Sequence, residues 1–486
     1  MKAAQVQVGL ARRTQTAFGL LVSGASASGP MVVLSGGIVG TYATTKVTAV
    51  PLTFVVVAGT VALLAVGYAA MARQLGHPAA YYAILAHGLG RSWGVSGGMV
   101  ALVAYNAIQI SQYGLFGATM AAQLGGTWWV WAALALVVVG VLGVRAIMLS
   151  TRVLAVVLAA SLLIIAAFVL AGLGQPAGGE VSWVGFHASG LAVTGIGGAI
   201  AFGVAAVMGF DAPGSLVEEA VDRSSVGRAT IGGALVLGGV YAVVAFAMGV
   251  AVGPDVVGEV AGDPASGLPF SVLARLGSWW VALASVVLIF AIITSMLAFH
   301  SVLARYVFAM AREKVLPAGL ARSSSATRVS APRGGSLMQT AVAAVVVGVF
   351  AFAGADPVAV MFTWLSALGA MGLLCLLLAA SVAAMTAPAR VRGPQAGAWE
   401  WRLAPALGVL GGSVVLALMV GNAGSLLGAA PGSLYPFLLP LILLATAVAG
   451  GVWAGHLRQA RPEVYAGIGR GTPKRHAIPD AMNLSI

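Results

Sequence analysis

The stretch Gly209-Phe210-Asp211-Ala212-Pro213-Gly214-Ser215 closes an apolar run that begins at Ala192, and its reading decides the fold. An apolar run of roughly 20 residues crosses a bilayer core as a helix. This one ends on a carboxylate set between glycine and proline. Pro213 has no N–H and its ring clashes with the preceding turn. Gly209 and Gly214 lower the cost of leaving helical geometry. Backbone that unwinds at membrane depth must be received by protein, ligand or water. Asp211 is the acidic residue placed at that depth, which makes it a functional candidate by default. Capping of the helix that restarts at Pro213 is an equal reading, since a carboxylate accepts hydrogen bonds from a first turn.

Working outward, a matching interruption lies near the start of the chain: Ser23-Gly24-Ala25-Ser26-Ala27-Ser28-Gly29-Pro30. Two interrupted helices in corresponding halves point to a solute site at the bilayer midplane. The plainer alternative for Gly24–Ser28 is a small-residue packing face. Between and beyond the two breaks, apolar runs predict twelve membrane helices. They fall at 15–40, 48–73, 95–121, 127–147, 152–173, 192–214, 230–252, 277–308, 337–354, 360–386, 404–421 and 433–455.

Composition agrees. Of 486 residues 60% are hydrophobic and 8% charged, against about 25% charged in a soluble domain. Mean hydropathy is +1.00. A soluble enzyme, a disordered chain and a disulfide scaffold are excluded, the last also because Cys375 is the single cysteine. With the N-terminus inside, all 25 Lys and Arg except Lys46 and Arg275 fall on the inner side. That bias predicts an even number of spans, both termini cytoplasmic, and a cytoplasmic (inner) membrane location. Dispersed over inner loops, the basic residues form no nucleic-acid surface. No cleavable signal peptide is expected, because the first apolar run is too long and has polar breaks. No phosphate-binding loop of the ATPase type occurs. No convergent catalytic set or metal-ligand spacing occurs either, so the chain is not expected to be an enzyme or to hold a cofactor or metal.

Other polar residues in the spans are candidates for the walls of the site. Tyr105, Asn106 and Gln109, with Gln112, share a face of the third span, either lining a cavity or bonding between helices. Trp364 in the tenth span either gates or packs. Thr294 and Ser295 offer hydroxyl oxygens to a sodium ion or bond to the preceding turn. His300 is a proton carrier or a packed neutral side chain. Glu218, Glu219, Asp222 and Arg223 read as a gate or loop network on the inner face.

The ordered set of segments resembles the amino acid–polyamine–organocation (APC) superfamily of permeases, of the bacterial amino acid permease type, over nearly the whole chain. It comprises the broken first helix, Gly67-Tyr68-Ala69-Ala70-Met71-Ala72-Arg73, Pro78-Ala79-Ala80-Tyr81-Tyr82, His87-Gly88-Leu89-Gly90, Gly209-Phe210-Asp211-Ala212 with Glu218-Glu219-Ala220, Ala298 to Tyr306, and Ala311-Arg312 with Leu316-Pro317. The resemblance implies an all-α, LeuT-like fold of twelve transmembrane helices with a five-plus-five inverted repeat. A cytoplasmic segment 1–14 would precede the first repeat, 15–173, and the second, 192–386. Peripheral helices 404–455 and a cytoplasmic tail 456–486 would follow. It implies alternating-access transport of an amino acid, by symport or exchange, the alternative being a polyamine or other organic amine. Substrate carboxylate and amino groups would meet the backbone of Ser26, Ala27, Ser28 and Gly29 and of Val207, Gly209, Phe210 and Asp211. Phe210 would be an aromatic lid. Ser161 stands where proton-linked relatives carry a charge, so proton coupling would need Asp211 or His300, and sodium or exchange stays open. Monomer and homodimer both fit.

Overall fold

The computed structural model describes residues 15–145, 151–322, 332–392, 397–427 and 434–471. Among them, eleven helices are long and apolar enough to cross a membrane. In chain order these are Ala17–Thr45, Val50–Leu75, Arg91–Leu124, Thr151–Gly174, Ile196–Leu216, Arg223–Val252, Ser278–Arg312, Arg333–Phe352, Pro357–Thr386, Trp399–Gly421 and Tyr435–Ala460. A shorter apolar helix, Trp128–Val144, occupies the predicted fourth place. The ordinals of the predicted spans are kept below, so Ile196–Leu216 is the sixth. A nine-residue linker helix, Ala80–Gly88, joins the second span to the third. A tail helix, Pro462–Gly467, follows the twelfth.

Helix starts follow local chemistry. The Thr16 hydroxyl accepts from Gly19 N–H at 3.2 Å and caps the first span. Asp356 caps the tenth through Val358 and Ala359 N–H. Asp222 accepts from Ser224 N–H at 3.0 Å and starts the seventh span at Arg223, several residues before its apolar run. A side-chain acceptor satisfies one of the free N–H groups of a first turn.

The two interrupted spans sit at the centre. In the most apolar stretch of the sixth, 94% of residues are buried, and in the first 78%, against 28% in the ninth and 22% in the twelfth. The first span packs on the fifth, seventh and eighth. The third packs on the tenth, eighth and twelfth. Small residues set these distances: a Cβ on Gly238 of the seventh span would lie 2.1 Å from the Ala58 Cβ of the second. Between membrane helices, close van der Waals packing does the work that apolar burial does in water.

Both ends of the described chain lie at one end of the bundle. Gln15 N–H donates to the Glu219 carbonyl at 3.0 Å, and Val221 N–H to that of Gln15 at 2.9 Å. Gly469 N–H reaches Glu313, next to the Arg312 that pairs with Glu218. Lys46 and Arg275 lie at the opposite end, where they hold the carbonyls of Gly258, and of Gln175 and Ala251.

Candidate functional site

The two interruptions cross each other. Gly29 (φ 65°) and Gly209 (φ 103°) adopt the left-handed backbone that disfavours any side chain. A Cβ on Gly209 would lie 2.6 Å from the backbone nitrogen of Ser28 and 2.9 Å from the carbonyl carbon of Ala27. A Cβ on Gly24 would meet Pro213 at 3.3 Å. Backbone therefore touches backbone, and glycine is required for that approach. Hydroxyls receive the carbonyls freed by unwinding. Ser28 Oγ donates to the Ala206 carbonyl at 2.7 Å and, its one proton spent, accepts from the Tyr241 hydroxyl at 2.5 Å. Ser295 Oγ donates to the Ala27 carbonyl at 2.5 Å. The Ser26 hydroxyl is buried with no protein partner.

A cavity opens beside the crossing, toward the end of the bundle away from the termini. Its apolar wall includes Val32, Val33, Ile108, Phe202, Phe299 and Phe362. Its polar groups are Ser28, Ser111, Gln112 and Ser366. Ser366 Oγ donates to Ser111 Oγ at 3.0 Å. Gln112 is 4% exposed, and its Oε1 has no protein partner. Two wide π turns, Val33–Ile38 and Pro357–Phe362, contribute to the wall. Such turns bulge backbone out of register and recur at functional sites. No ionisable side chain lines the cavity among the described residues.

The carboxylate lies on the other side of the crossing. Asp211 is 1% exposed. Its Oδ2 accepts from the Tyr105 hydroxyl at 2.5 Å and from that of Tyr81 at 2.9 Å. Tyr68 OH stands 3.4 Å from the Asp211 carbonyl. The side chain makes no capping bond to the turn that follows. Tyr105 precedes Gln112 by seven residues, about 10 Å along the helix, so carboxylate and cavity occupy different levels of the third span. Nearer the termini, Arg305 holds Glu219 at 2.7 Å and Arg312 holds Glu218 at 3.1 Å. Those two acidic residues thus form the expected ion-pair network, tying the end of the sixth span to the eighth.

A family model described as "Amino acid permease" matches residues 14–445. The chain belongs to the amino acid permease family. Three crystal structures of the manganese transporter of Eremococcus coleocola share its architecture. Two are of mutants of that transporter, with TM-scores of 0.55 and 0.54, each at 17% identity. The third is of its complex with an aromatic bis-isothiourea substituted compound, with a TM-score of 0.55 at 16% identity. Each likeness covers 90% of this chain and 93% of the other. No curated protein matches the sequence. The permease is therefore an integral, multi-pass membrane protein, consistent with a cytoplasmic-membrane location and a LeuT-like fold. It is a secondary transporter that moves a small solute across a membrane, not an enzyme.

The remaining sequence candidates are dispersed over this permease. Ala27 and Ser28 reach the cavity wall. Ser26, Gly29, Val207 and Gly209 belong to the crossing beside it. Phe210 is fully buried below the crossing, where a Cβ on Gly233 of the seventh span would meet its Cβ at 3.8 Å; Phe202, Phe299 and Phe362 supply the aromatic surface of the wall. Asn106 donates to its own helix at Leu102, and Gln109 bonds Tyr113 and the Gln339 of the ninth span. Trp364 is half-buried against Tyr435, with ring centres 6.3 Å apart. Thr294 donates to Ala291 one turn back, and Ser161 to Val157. His300 Nε2 meets Ser336 Oγ of the ninth span at 2.7 Å, away from the cavity. Sequence reasoning does not single out Tyr68, Tyr81 and Tyr241 as site residues. The one signal for them is a polar tip in otherwise apolar surroundings, which must find a partner when buried.

Proposed function

We propose that this permease carries amino acids with neutral, apolar side chains by alternating access, through twelve spans arranged as two five-helix inverted repeats with two peripheral helices. The helix Trp128–Val144 is the fourth span in this reading. The observation that carries the substrate class is the crossing of two unwound helices beside a cavity with uncharged walls. A zwitterion brings its own compensating charges. Free N–H groups at a helix break favour its carboxylate, and free carbonyls its ammonium. The proposed backbone contacts are Ser26, Ala27, Ser28 and Gly29 in the first span and Val207 and Gly209 in the sixth. Gln112 Oε1 adds an acceptor, and Val33, Phe202 and Phe362 receive an apolar side chain. A polyamine would carry unpaired cationic charge into those walls, which is costly. Asp211 would not relieve it, because its carboxylate lies off the wall with Oδ2 engaged by two tyrosines. The basic end of the bundle faces the cytoplasm in this reading, with Asp211 and the ion pairs forming its closed gate.

Uptake into proteoliposomes tests the substrate class, using labelled leucine, lysine, glutamate, putrescine and manganese with imposed proton or sodium gradients. Leucine should enter fastest, and Gln112→Leu should raise its KM. Preferred uptake of lysine, putrescine or manganese overturns the substrate class. The gradient that accelerates leucine identifies the coupling ion, and acceleration by internal leucine alone identifies exchange.

A further inference from the structure

Glu313 directly follows the eighth span, and its side chain is 4% exposed. Four donors converge on that carboxylate. Oε1 accepts from His77 Nε2 at 3.0 Å and from Gly471 N–H at 2.7 Å. Oε2 accepts from the Tyr82 hydroxyl at 2.5 Å and from Gly469 N–H at 2.8 Å. His77 Nδ1 accepts from Ala79 N–H at 3.1 Å, so the proton on Nε2 is the one given to Glu313. Gly469 and Gly471 both have positive φ, 75° and 70°, a backbone form that suits glycine. A Cβ on Gly469 would lie 2.9 Å from that of Ala86 on the linker helix. Just before these glycines, Ile468 and Val464 are buried. The Arg91 guanidinium sits 5.5 Å above the Tyr465 ring, whose hydroxyl is 3.3 Å from Ser92 Oγ. The segment 462–471 thus bridges the end of the eighth span, the linker helix and the start of the third.

The linker helix joins this contact to the carboxylate inside the membrane. Tyr81 and Tyr82 are adjacent on it, and successive helical residues point about 100° apart. Tyr81 donates to Asp211 of the sixth span, and Tyr82 to Glu313. A nine-residue helix held at both faces moves as one body. Parting the sixth span from Tyr81 therefore displaces Tyr82 or leaves Asp211 without that donor. We propose that the C-terminal segment is a latch: docked on Glu313, it holds the linker helix against the sixth span and slows opening of the terminal end of the permease. This rests on the alternating-access reading of that end, though not on which solute the cavity takes.

The test uses the full-length protein carrying Cys375→Ser and Ser215→Cys. Ser215 is buried, four residues beyond Asp211 toward the terminal end. Inside-out vesicles are exposed to a membrane-impermeant maleimide without substrate. Deleting residues 462–486, or introducing Glu313→Gln, should speed labelling of that cysteine. The deletion should give about tenfold, the population change expected when roughly one net hydrogen bond's worth of closure is lost. Adding a peptide of residues 461–486 should return the deleted protein toward the intact rate. Equal labelling of intact, deleted and Glu313→Gln proteins of matched melting temperature overturns the latch. So does faster labelling that the peptide does not reverse and that tracks a lower melting temperature, since the tail is then only a brace. Labelling reads opening and the uptake panel reads the substrate, so the two proposals fail separately.

Discussion

The two sides of the helix crossing are built from opposite chemistry. The cavity side has serines, a glutamine and aromatic rings, without an ionisable group in its wall among the described residues. The side toward the termini carries Asp211 under two tyrosine hydroxyls, the pairs Glu219–Arg305 and Glu218–Arg312, and Glu313 under four donors. A buried ion pair adds little net stability, yet removing one partner is expensive. That asymmetry suits contacts that must form fully or separate fully, and it suits a solute wall poorly, where a fixed charge would exclude neutral ligands. In the proposed mechanism, charge belongs to closure, and recognition is left to backbone and neutral side chains.

Removing the crossing itself should have the largest effect, because both sides depend on it. Gly209→Ala puts a Cβ 2.6 Å from a backbone nitrogen at φ 103°. Uptake should be abolished, with a lower yield of monodisperse protein. Gly232 in the seventh span has nothing within 4 Å of an added Cβ. Gly232→Ala should match or exceed wild-type melting, since alanine favours a helix over glycine by about 0.5–1 kcal/mol. Wild-type uptake by Gly209→Ala would show that the two backbones can move apart at no cost, and the comparison would lose its dividing line.

The next effect separates buried closure from surface charge. Arg305→Ala leaves Glu219, 13% exposed, without its countercharge. Breaking such a buried pair costs about 3–5 kcal/mol, so thermal melting should fall by many degrees. The Arg228–Asp222 pair is equally ionic but 73% and 54% exposed, and Arg228→Ala should melt with wild type. Similar losses from both variants would mean that the inner end is held by general charge balance and has no sealed pair.

The breaks and the span order were legible in the sequence because Gly and Pro act locally, and apolar length is itself the signal. Helix edges were less so: the seventh span begins at Arg223 and the ninth at Arg333, since caps and polar first turns extend helices beyond their apolar runs. Asp211 stood out by itself and Tyr105 as part of a stripe, but the contacts between Asp211 and its tyrosines did not. Tyr68, Tyr81 and Tyr105 lie 143, 130 and 106 residues away, on three elements, and periodicity within one helix says nothing about which helices meet. The stripe on the third span was visible as a stripe, yet its members diverge: Gln109 faces the ninth span and Gln112 the cavity. The tail is legible only as a cytoplasmic segment, because backbone N–H groups, the donors it gives to Glu313, leave no trace in residue type.

A smaller effect tests whether Asp211 belongs to closure or to recognition. Tyr105→Phe removes one donor to its Oδ2 and keeps the ring among Phe299 and Tyr306. Losing one buried hydrogen bond costs about 1–3 kcal/mol, so melting should drop while leucine affinity in the folded protein stays within about twofold, well under the tenfold that 1.4 kcal/mol represents. A large loss of affinity without a change in melting would move Asp211 to the recognition side.

The smallest expected effect is a pH dependence confined to the tail. Burial pushes the Glu313 carboxyl up, but hydrogen bonds from His77, Tyr82 and Gly469 outweigh it and hold the group below the usual carboxylate range. A folded-state value below the unfolded one means that docking binds the deprotonated form. The stabilisation is therefore fully present above the unfolded value, about 4.3 for a glutamate, and is lost as pH falls through the folded value. A fluorophore on Arg470→Cys in the Cys375→Ser background should keep constant anisotropy from neutral pH down to about 5 and lose it below the ordinary glutamate range. In Glu313→Gln the carboxylate is absent, so anisotropy should be low at neutral pH and nearly flat with acid. Release on raising the pH would give the wrong sign, and would assign the tail to a partner that must lose a proton before it lets go.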